Sequence, residues 1–435
     1  MPLSNSRVWI AVMAIAVLTT IAEYTQADDP FERAPIEYSK SDPDNAVSRL
    51  QAKLERGEAT LKYDPDQGYL PAVLDALGVP TESQMLVFSK TSLQRRRISP
   101  RTPRAIYFND DVYIGFCRAG EVMEISVADP QLGAVFYTIE QQEAVAPKLI
   151  RQTDNCLVCH SSSRTDGIPG HLARSVFTGP SGEPILSKGS KTVDYRTPFE
   201  DRWGGWYVTG THGEQTHLGN FIVRGREEAQ GEENADGQNV TDLADRLKVD
   251  QYLTAHSDII ALMVLEHQTL MHNRLTKANF ETRAALYYQA DLNRALGEPE
   301  DAPLESVTRR IETAAEDVVE ALLFVDEAEL TEPVAGTSGY AELFSELGVR
   351  DSSGRSLRDF DLERRLFKHP CSYLIYSEAF DSLPKEVKSV ILSRLAEILR
   401  GEDASGRFDH LSAEDCQAIA DILRDTKDGL PADWP

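Results

Sequence analysis

The sequence has few cysteines and no excess of basic residues. Five cysteines in 435 residues are too few for a scaffold built on disulfides. Acidic residues outnumber basic ones, 70 to 45, which gives a net charge of −25 and argues against binding to nucleic acid or to an anionic membrane surface. Glycine and proline are present in ordinary amounts, 27 and 22, so collagen-like and wholly disordered classes are excluded. We expect a globular protein with a substantial core.

The N-terminus has the order of a secretory signal peptide. A short polar stretch ends at Arg7, an apolar run extends from Val8 to Ala22, and a polar stretch ends at Ala27. The apolar run has about 15 residues, fewer than the roughly 20 that span a bilayer. We expect residues 1–27 to be cleaved and the mature chain to be periplasmic or otherwise exported, without stable membrane insertion. An uncleaved anchor is the alternative.

Hydrophobic patterning predicts an α+β fold that is mainly α. Four β-branched or aromatic runs between residues 105 and 139 are separated by turn residues, which predicts a small antiparallel meander. Apolar residues recur at helical spacing in the C-terminal part of the chain. We therefore predict an N-terminal lobe over 28–224, an acidic linker at 225–240, and an α-helical lobe over 241–435.

Two helices of the C-terminal lobe have predicted ends. Ser257 can cap a proline-free stretch that runs to about Leu296, where Gly297 ends it. Ser412 followed by Asp415 resembles a capping box and predicts the start of the last helix.

The motif that carries chemistry is Cys156-Leu157-Val158-Cys159-His160. C-x-x-C-H is the attachment motif of c-type haem. In it, Cys156 and Cys159 form thioethers to the porphyrin, and His160 is the proximal ligand of the iron. The sequence therefore predicts one covalently attached haem c with its iron. Export agrees with this prediction, because covalent haem attachment in bacteria takes place outside the cytoplasm.

Three other roles of the two motif cysteines fit the sequence less well. A zinc site needs further ligands, but no second C-x-x-C exists and Cys117, Cys371 and Cys416 are scattered. A thioredoxin-type redox pair needs a helix after its first cysteine, whereas the polar segment 161–167 follows this motif. A disulfide across two intervening residues would be strained. Haem attachment is the interpretation we favour.

Several stretches also resemble a group of exported bacterial c-type cytochrome-domain proteins. The resemblance covers most of the mature chain and implies a haem protein used in electron transfer, with no firmly assigned reaction for the group. Apart from the C-x-x-C-H motif, the matching stretches are less specific. They are Asn109–Gly115, Arg164–Arg174, Arg202–Gly210, His217–Asn220 and Pro370–Tyr376.

The sixth ligand of the iron is a separate question. No methionine follows His160 before Met263, so this is not a minimal class I cytochrome domain. We favour His217, in a loop bounded by glycine and asparagine, over His212 and His171; an open or water-filled position is the other possibility. A further set lies on one predicted helix and consists of Met263, His267, Met271 and His272.

Arginines and tryptophans near the motif are candidates for contact with the haem. Arg164 and Arg174, with Arg151, flank the motif, and their guanidinium groups suit bidentate pairing with the haem propionates. Trp203 and Trp206 are predicted to pack on the macrocycle or on the meander. The alternative for the arginines is an ordinary place on the surface.

These features favour a periplasmic cytochrome that passes single electrons between protein partners. The net charge of −25 predicts a redox partner with a basic docking surface and excludes nucleic acid as a partner. A haem enzyme with an open distal site, acting on peroxide or another small molecule, is the alternative. A haem-based sensor is a third possibility.

Overall fold

The computed structural model describes residues 29–224 and 234–435. The predicted signal peptide, 1–27, lies outside the described residues, and so does the 225–233 part of the predicted acidic linker. Among the helices that are described, none is both long enough and apolar enough to cross a membrane.

Helices account for most of the regular structure. Helix makes up 36% of the chain and strand 14%, with the sheet in the N-terminal part, which confirms the predicted α+β fold. The described residues form α1 (Ala46–Glu55), α2 (Leu70–Leu77), α3 (Leu157–His160), α4 (Ile259–Leu296), α5 (Glu305–Leu322), α6 (Tyr340–Glu346), α7 (Glu378–Asp381), α8 (Lys385–Leu399) and α9 (Ala413–Thr426).

The strands form one large and one small antiparallel sheet. They are β1 (Met85–Val87), β2 (Arg104–Phe108), β3 (Val112–Phe116), β4 (Val122–Asp129), β5 (Gly133–Glu140), β6 (Ile150–Gln152), β7 (Ala173–Val176), β8 (Ser190–Val193) and β9 (Trp206–Tyr207). The large sheet has the order β6-β5-β4-β3-β2-β1-β9, and β7 pairs with β8. The predicted meander corresponds to β2 to β5. The strands β1, β6 and β9 were not predicted, because two or three residues are too few to show a period.

The two faces of the large sheet contact different parts of the molecule. In β2, Ala105 and Tyr107 join a core with α1 and α2, whereas Phe108 joins the core of the helical part and Ile106 packs against it. This alternation follows from the two-residue period of a strand. The sheet therefore lies between two hydrophobic cores, and α4 passes across its second face.

The long helix α4 is capped at both ends. Asp258 accepts hydrogen bonds from the amides of Ile260 and Ala261, and Gly297 adopts the left-handed conformation with φ +76°. The predicted cap, Ser257, lies one residue too early. Its hydroxyl instead donates to the carbonyl of Tyr207 and accepts from the amide of Leu86, which ties the start of α4 to β9 and β1.

The end of the chain follows the sequence prediction closely. Ser412 and Asp415 form the predicted capping box, in which each side chain bonds to the backbone amide of the other residue. Helix α9 then buries Ile419, Ile422 and Leu423 in the helical core.

Candidate functional site

The C-x-x-C-H motif forms a single helical turn directly after the edge of the large sheet. The amide of His160 bonds to the carbonyl of Cys156 at 3.0 Å, and α3 covers the four residues Leu157–His160. Residues three and four apart lie on one face of a helical turn. Cys156, Cys159 and His160 therefore share a face, which is the arrangement that two thioethers and an axial imidazole require.

That face lines a cavity of about 740 Å³, to which both cysteines and His160 contribute. This volume lies in the usual range for cofactor and ligand sites. The small sheet, the loop 90–95 and two residues of α4, Leu265 and Thr269, contribute other parts of the wall.

The large sheet supplies one wall of the cavity. Ile106, Gly115, Glu124 and Thr138 are paired side by side across β2, β3, β4 and β5, so they occupy the same face. Gly115, which has no side chain, leaves room above the sheet. A Cβ at Gly115 would lie 2.0 Å from Nη2 of Arg104, so this position has no space for a larger residue while Arg104 stays in place. The adjacent row on the same face is Tyr113, Ser126 and Phe136.

His160 is oriented by hydrogen bonding and by burial. Its Nδ1 lies 2.9 Å from the carbonyl oxygen of Gly170, and only a protonated Nδ1 can donate to that oxygen. Nε2 is then left with a free lone pair, and no described residue bonds to it. Burial lowers the pKa of His160, which keeps the imidazole neutral. These are the properties of an imidazole that binds a metal through Nε2.

The two motif cysteines are free thiols. Burial, with a smaller contribution from the charge of Glu124, raises the pKa of Cys156 to about 11. A C-x-x-C oxidoreductase instead lowers the pKa of its attacking thiol. Over residues 29–224 and 234–435, no three His, Cys, Asp or Glu side chains are grouped to hold a metal ion. A haem needs only one or two axial ligands from the protein, because the porphyrin provides the other four.

The three arginines predicted to contact propionates have different positions. Arg174 lines the cavity and donates to the hydroxyl of Ser190 at 2.8 and 3.2 Å. Burial lowers the pKa of Arg174, and the nearby charge of Arg164 lowers it further. Arg164 itself is exposed and is not part of the cavity wall. Arg151 donates to backbone carbonyls of the N-terminal segment, away from the cavity.

The two tryptophans are also separated by the fold. Trp206 lines the cavity, and its Nε1 donates to the carbonyl of Arg174 at 2.8 Å. Trp203 is buried and is not part of the cavity wall; its ring centroid lies 5.0 Å from that of Phe199 and 5.1 Å from that of His217. The backbone of Trp203 has φ +65°, in the left-handed region.

The structure does not bring His217 to the cavity. His217 and His212 have ring centroids 4.7 Å apart in a separate cluster with Phe199 and Trp203. Nδ1 of His217 accepts from the amide of Gly219, and Nε2 of His212 accepts from the amide of Asn239. Through these hydrogen bonds both rings stabilise the backbone around them, and neither ring is part of the cavity wall.

His171 is the one candidate among the loop histidines that lines the cavity. Its Nε2 lies 2.6 Å from the hydroxyl of Ser126, and its ring packs on Tyr113 at 4.4 Å. The amide of His171 bonds to Oδ1 of Asn273, which fixes the backbone as well. Nδ1 has no partner in the described part of the chain.

Three members of the predicted helical set lie on a different side of α4 from the cavity wall, and His272 lies on the same side as the wall. Leu265 and Thr269, four residues apart on α4, form part of the wall. Met263, His267 and Met271 lie on another side of the helix, and His267 bonds to the hydroxyl of Ser372 at 2.7 Å. Nδ1 of His272 lies 2.9 Å from the hydroxyl of Tyr113, and its ring centroid lies 5.7 Å from that of His171. Its Nε2 is buried without a hydrogen-bond partner among the described residues.

Sequence reasoning missed a charged pair beside the motif. Nη2 of Arg104 lies 2.5 Å from Oε2 of Glu124, and both residues line the cavity. Nε of Arg104 is buried without a hydrogen-bond partner among the described residues. The alternating pattern of β2 and β4 places both side chains on the cavity face, which could have revealed them.

Comparison of the chain with models of known protein families, with characterised proteins and with solved structures finds no match.

Proposed function

We propose that this protein is an exported c-type cytochrome that transfers single electrons. In this proposal Cys156 and Cys159 attach one haem and His160 is its proximal ligand. The observation that carries the proposal is the orientation of His160: Nδ1 donates to Gly170 while Nε2 is free, beside two thiols on the wall of a 740 Å³ cavity. When bound, the haem supplies a one-electron couple whose potential depends on its axial ligands and burial.

The surrounding residues have roles that suit this cofactor. Gly170 holds the ring of His160 in one tautomer and one orientation. Phe136, whose ring centroid lies 4.8 Å from that of His160, and Trp206 provide aromatic walls. Arg174 has no carboxylate partner among the described residues, so its guanidinium group is available to a propionate.

Covalent attachment is tested by expressing the chain in a host with the haem-attachment machinery. We expect the colour of the protein to survive acid–acetone extraction, because thioether bonds resist it. Cys156→Ser combined with Cys159→Ser should remove that colour. Cys117→Ala combined with Cys416→Ala removes the same number of thiols elsewhere and should keep it. A colourless parent protein, or covalent colour in the motif variant, would overturn the proposal.

A second candidate function is a haem enzyme or sensor with an open distal position. The observation that favours it is the composition of the wall: among the described residues, no methionine lines the cavity, and His171 already bonds to Ser126. Carbon monoxide distinguishes the two functions. A low-spin ferrous spectrum unchanged by carbon monoxide supports a dedicated electron carrier, whereas a high-spin form that binds the gas supports the second candidate.

A further inference from the structure

The mouth of the cavity carries exposed apolar side chains. Leu93 and Leu186 line the cavity and are 56% and 68% exposed. Exposed leucines are individually ordinary, but these two line one cavity. Such an apolar centre is typical of the middle of a protein–protein interface.

The same opening is surrounded by basic residues. The segment 89–103 contains Lys90 and the arginines 95, 96, 97 and 101 and has no acidic residue. Arg95 lines the cavity, and Arg96 next to it is exposed. Arg164 is exposed on the other side, close enough to Arg174 to affect its pKa.

Most carboxylates near the mouth are already paired. Glu183 bonds to Lys90 at 3.1 Å and Glu124 to Arg104 at 2.5 Å, which leaves Asp154 as an exposed acid beside the motif. Arg95, Arg96 and Arg164 form no ion pair with any described residue. A bound haem would add two negative charges through its propionates, and the positive charges of segment 89–103 alone are more numerous.

This local charge is opposite in sign to the charge of the whole chain, which is −25. At about 0.1 M salt the screening length is about 10 Å, so a docking partner responds mainly to the charges that it approaches closely. The overall charge predicted a basic partner, whereas the charge at the mouth favours an acidic one. The apolar centre provides contact area, and the arginines provide orientation.

We infer that the surface formed by Leu93, Leu186, Arg95, Arg96 and Arg164 docks an acidic electron-transfer protein. The inference rests on the proposed function, because the haem would be the group that exchanges the electron. In the reaction, one electron leaves the reduced partner and reduces the oxidised haem, and no bond is formed or broken.

The test uses a plant-type ferredoxin as the acidic probe, since its low potential makes it a reductant. Reduced ferredoxin is mixed with the oxidised full-length cytochrome in a stopped-flow instrument at about 0.1 M and about 1 M salt. We expect the second-order rate to fall with salt. Arg95→Glu combined with Arg96→Glu should lower the rate about tenfold at the lower salt concentration and much less at the higher one.

Arg309→Glu combined with Arg310→Glu is the matched control, because it makes the same change in net charge on the exposed face of α5. We expect the control to leave the rate within about twofold of the parent rate. Equal effects of the two double variants, or a rate that rises with salt, would overturn the inference.

Two further measurements distinguish a loss of docking from a loss of haem, and a protein partner from an anionic membrane. The absorption spectrum after dithionite reduction shows whether each variant carries haem; a parent protein without covalent haem contradicts the proposed function rather than the docking surface. Sedimentation with phosphatidylserine vesicles tests an anionic membrane as the occupant. Vesicle binding that is lost in the mouth variant, with an unchanged ferredoxin rate, would contradict a protein partner.

Discussion

Nδ1 of His160 lies 2.9 Å from the carbonyl oxygen of Gly170, and the amide of Gly170 bonds back to the carbonyl of His160 at 2.8 Å. This reciprocal pair joins the helical turn of the motif to the segment that leads into the small sheet. It fixes the direction of the imidazole before any cofactor binds, and it makes His160 the histidine whose replacement has the clearest consequence.

His160→Ala should change the absorption and electron paramagnetic resonance spectra of the haem-loaded protein, because the proximal imidazole is lost. His217→Ala is the matched histidine variant. We expect it to leave both spectra unchanged, since His217 contacts His212 and Trp203 and does not line the cavity. A low-spin to high-spin change in His217→Ala would show that this loop reaches the iron.

Gly115→Val should reduce the amount of haem bound. A Cβ at this position would lie 2.0 Å from Nη2 of Arg104, and the added methyl groups would enter the cavity. Overpacking of this kind costs about 1–3 kcal/mol, so circular dichroism should still report a folded protein. Gly179→Val is the control, because a Cβ there meets nothing within 4 Å. Equal haem content in the two variants would contradict the assigned role of the cavity.

Glu266→Ala should lower the free energy of unfolding by about 3–5 kcal/mol, because it removes the buried acceptor of Arg202 in either protonation state. Burial raises the pKa of Glu266 to about 8, so glutamine would resemble the neutral acid that predominates at pH 7. Oε2 of Glu266 lies 2.9 Å from Nη1 of Arg202, and the two side chains are 1% and 3% exposed. The variant leaves the charge of Arg202 buried without its partner. Glu300→Gln removes the exposed partner of Arg294 and should change stability by less than about 1 kcal/mol. Urea unfolding measures both, and similar losses would argue against a buried pair.

Acid should destabilise the protein through its buried histidines. Burial lowers the pKa of His217, His267 and His272 to about 3 in each case. Between that value and about 6.5, the unfolded chain binds protons that the folded chain excludes, so stability is lost as the pH falls. At pH 5 each such histidine accounts for about 2 kcal/mol of this loss.

The histidine effect is isolated by one substitution. Between pH 7 and pH 5, the free energy of unfolding should fall by about 2 kcal/mol less in His217→Gln than in the parent protein. This difference does not depend on how stable the variant is at pH 7. Urea unfolding at the two pH values measures this difference. His410→Gln, at an exposed position, is the control. An identical loss in His217→Gln and in the parent would contradict a neutral, buried His217.

The regular elements were largely predictable because their information is local. The runs that became β2 to β5 alternate within a few residues, and the cap of α9 depends on Ser412 and Asp415, three positions apart. The strands β1, β6 and β9 were not predictable. Leu86 pairs with Tyr207 across 121 positions (207 − 86), and no short window of sequence contains that relationship.

The positions of the histidines in the site also depend on contacts between distant residues, which a short window of sequence does not contain. His217 was favoured as a ligand because of its loop, yet its ring packs against His212 and Trp203 and does not line the cavity. His171 and Asn273 are 102 residues apart in the chain and hydrogen-bonded in the fold. Which histidine reaches the cavity therefore depends on packing between distant segments.

The sequence by itself determined how the motif side chains are placed relative to one another, since one helical turn is enough to bring Cys156, Cys159 and His160 to a common face. It also determined the fold class, because strand and helix periods are properties of neighbouring residues. Only the tertiary structure decided what surrounds the motif: the carbonyl of Gly170, the Arg104–Glu124 pair and the basic mouth of an acidic protein. These depend on which distant residues pack together, and burial and electrostatics act through space rather than along the chain.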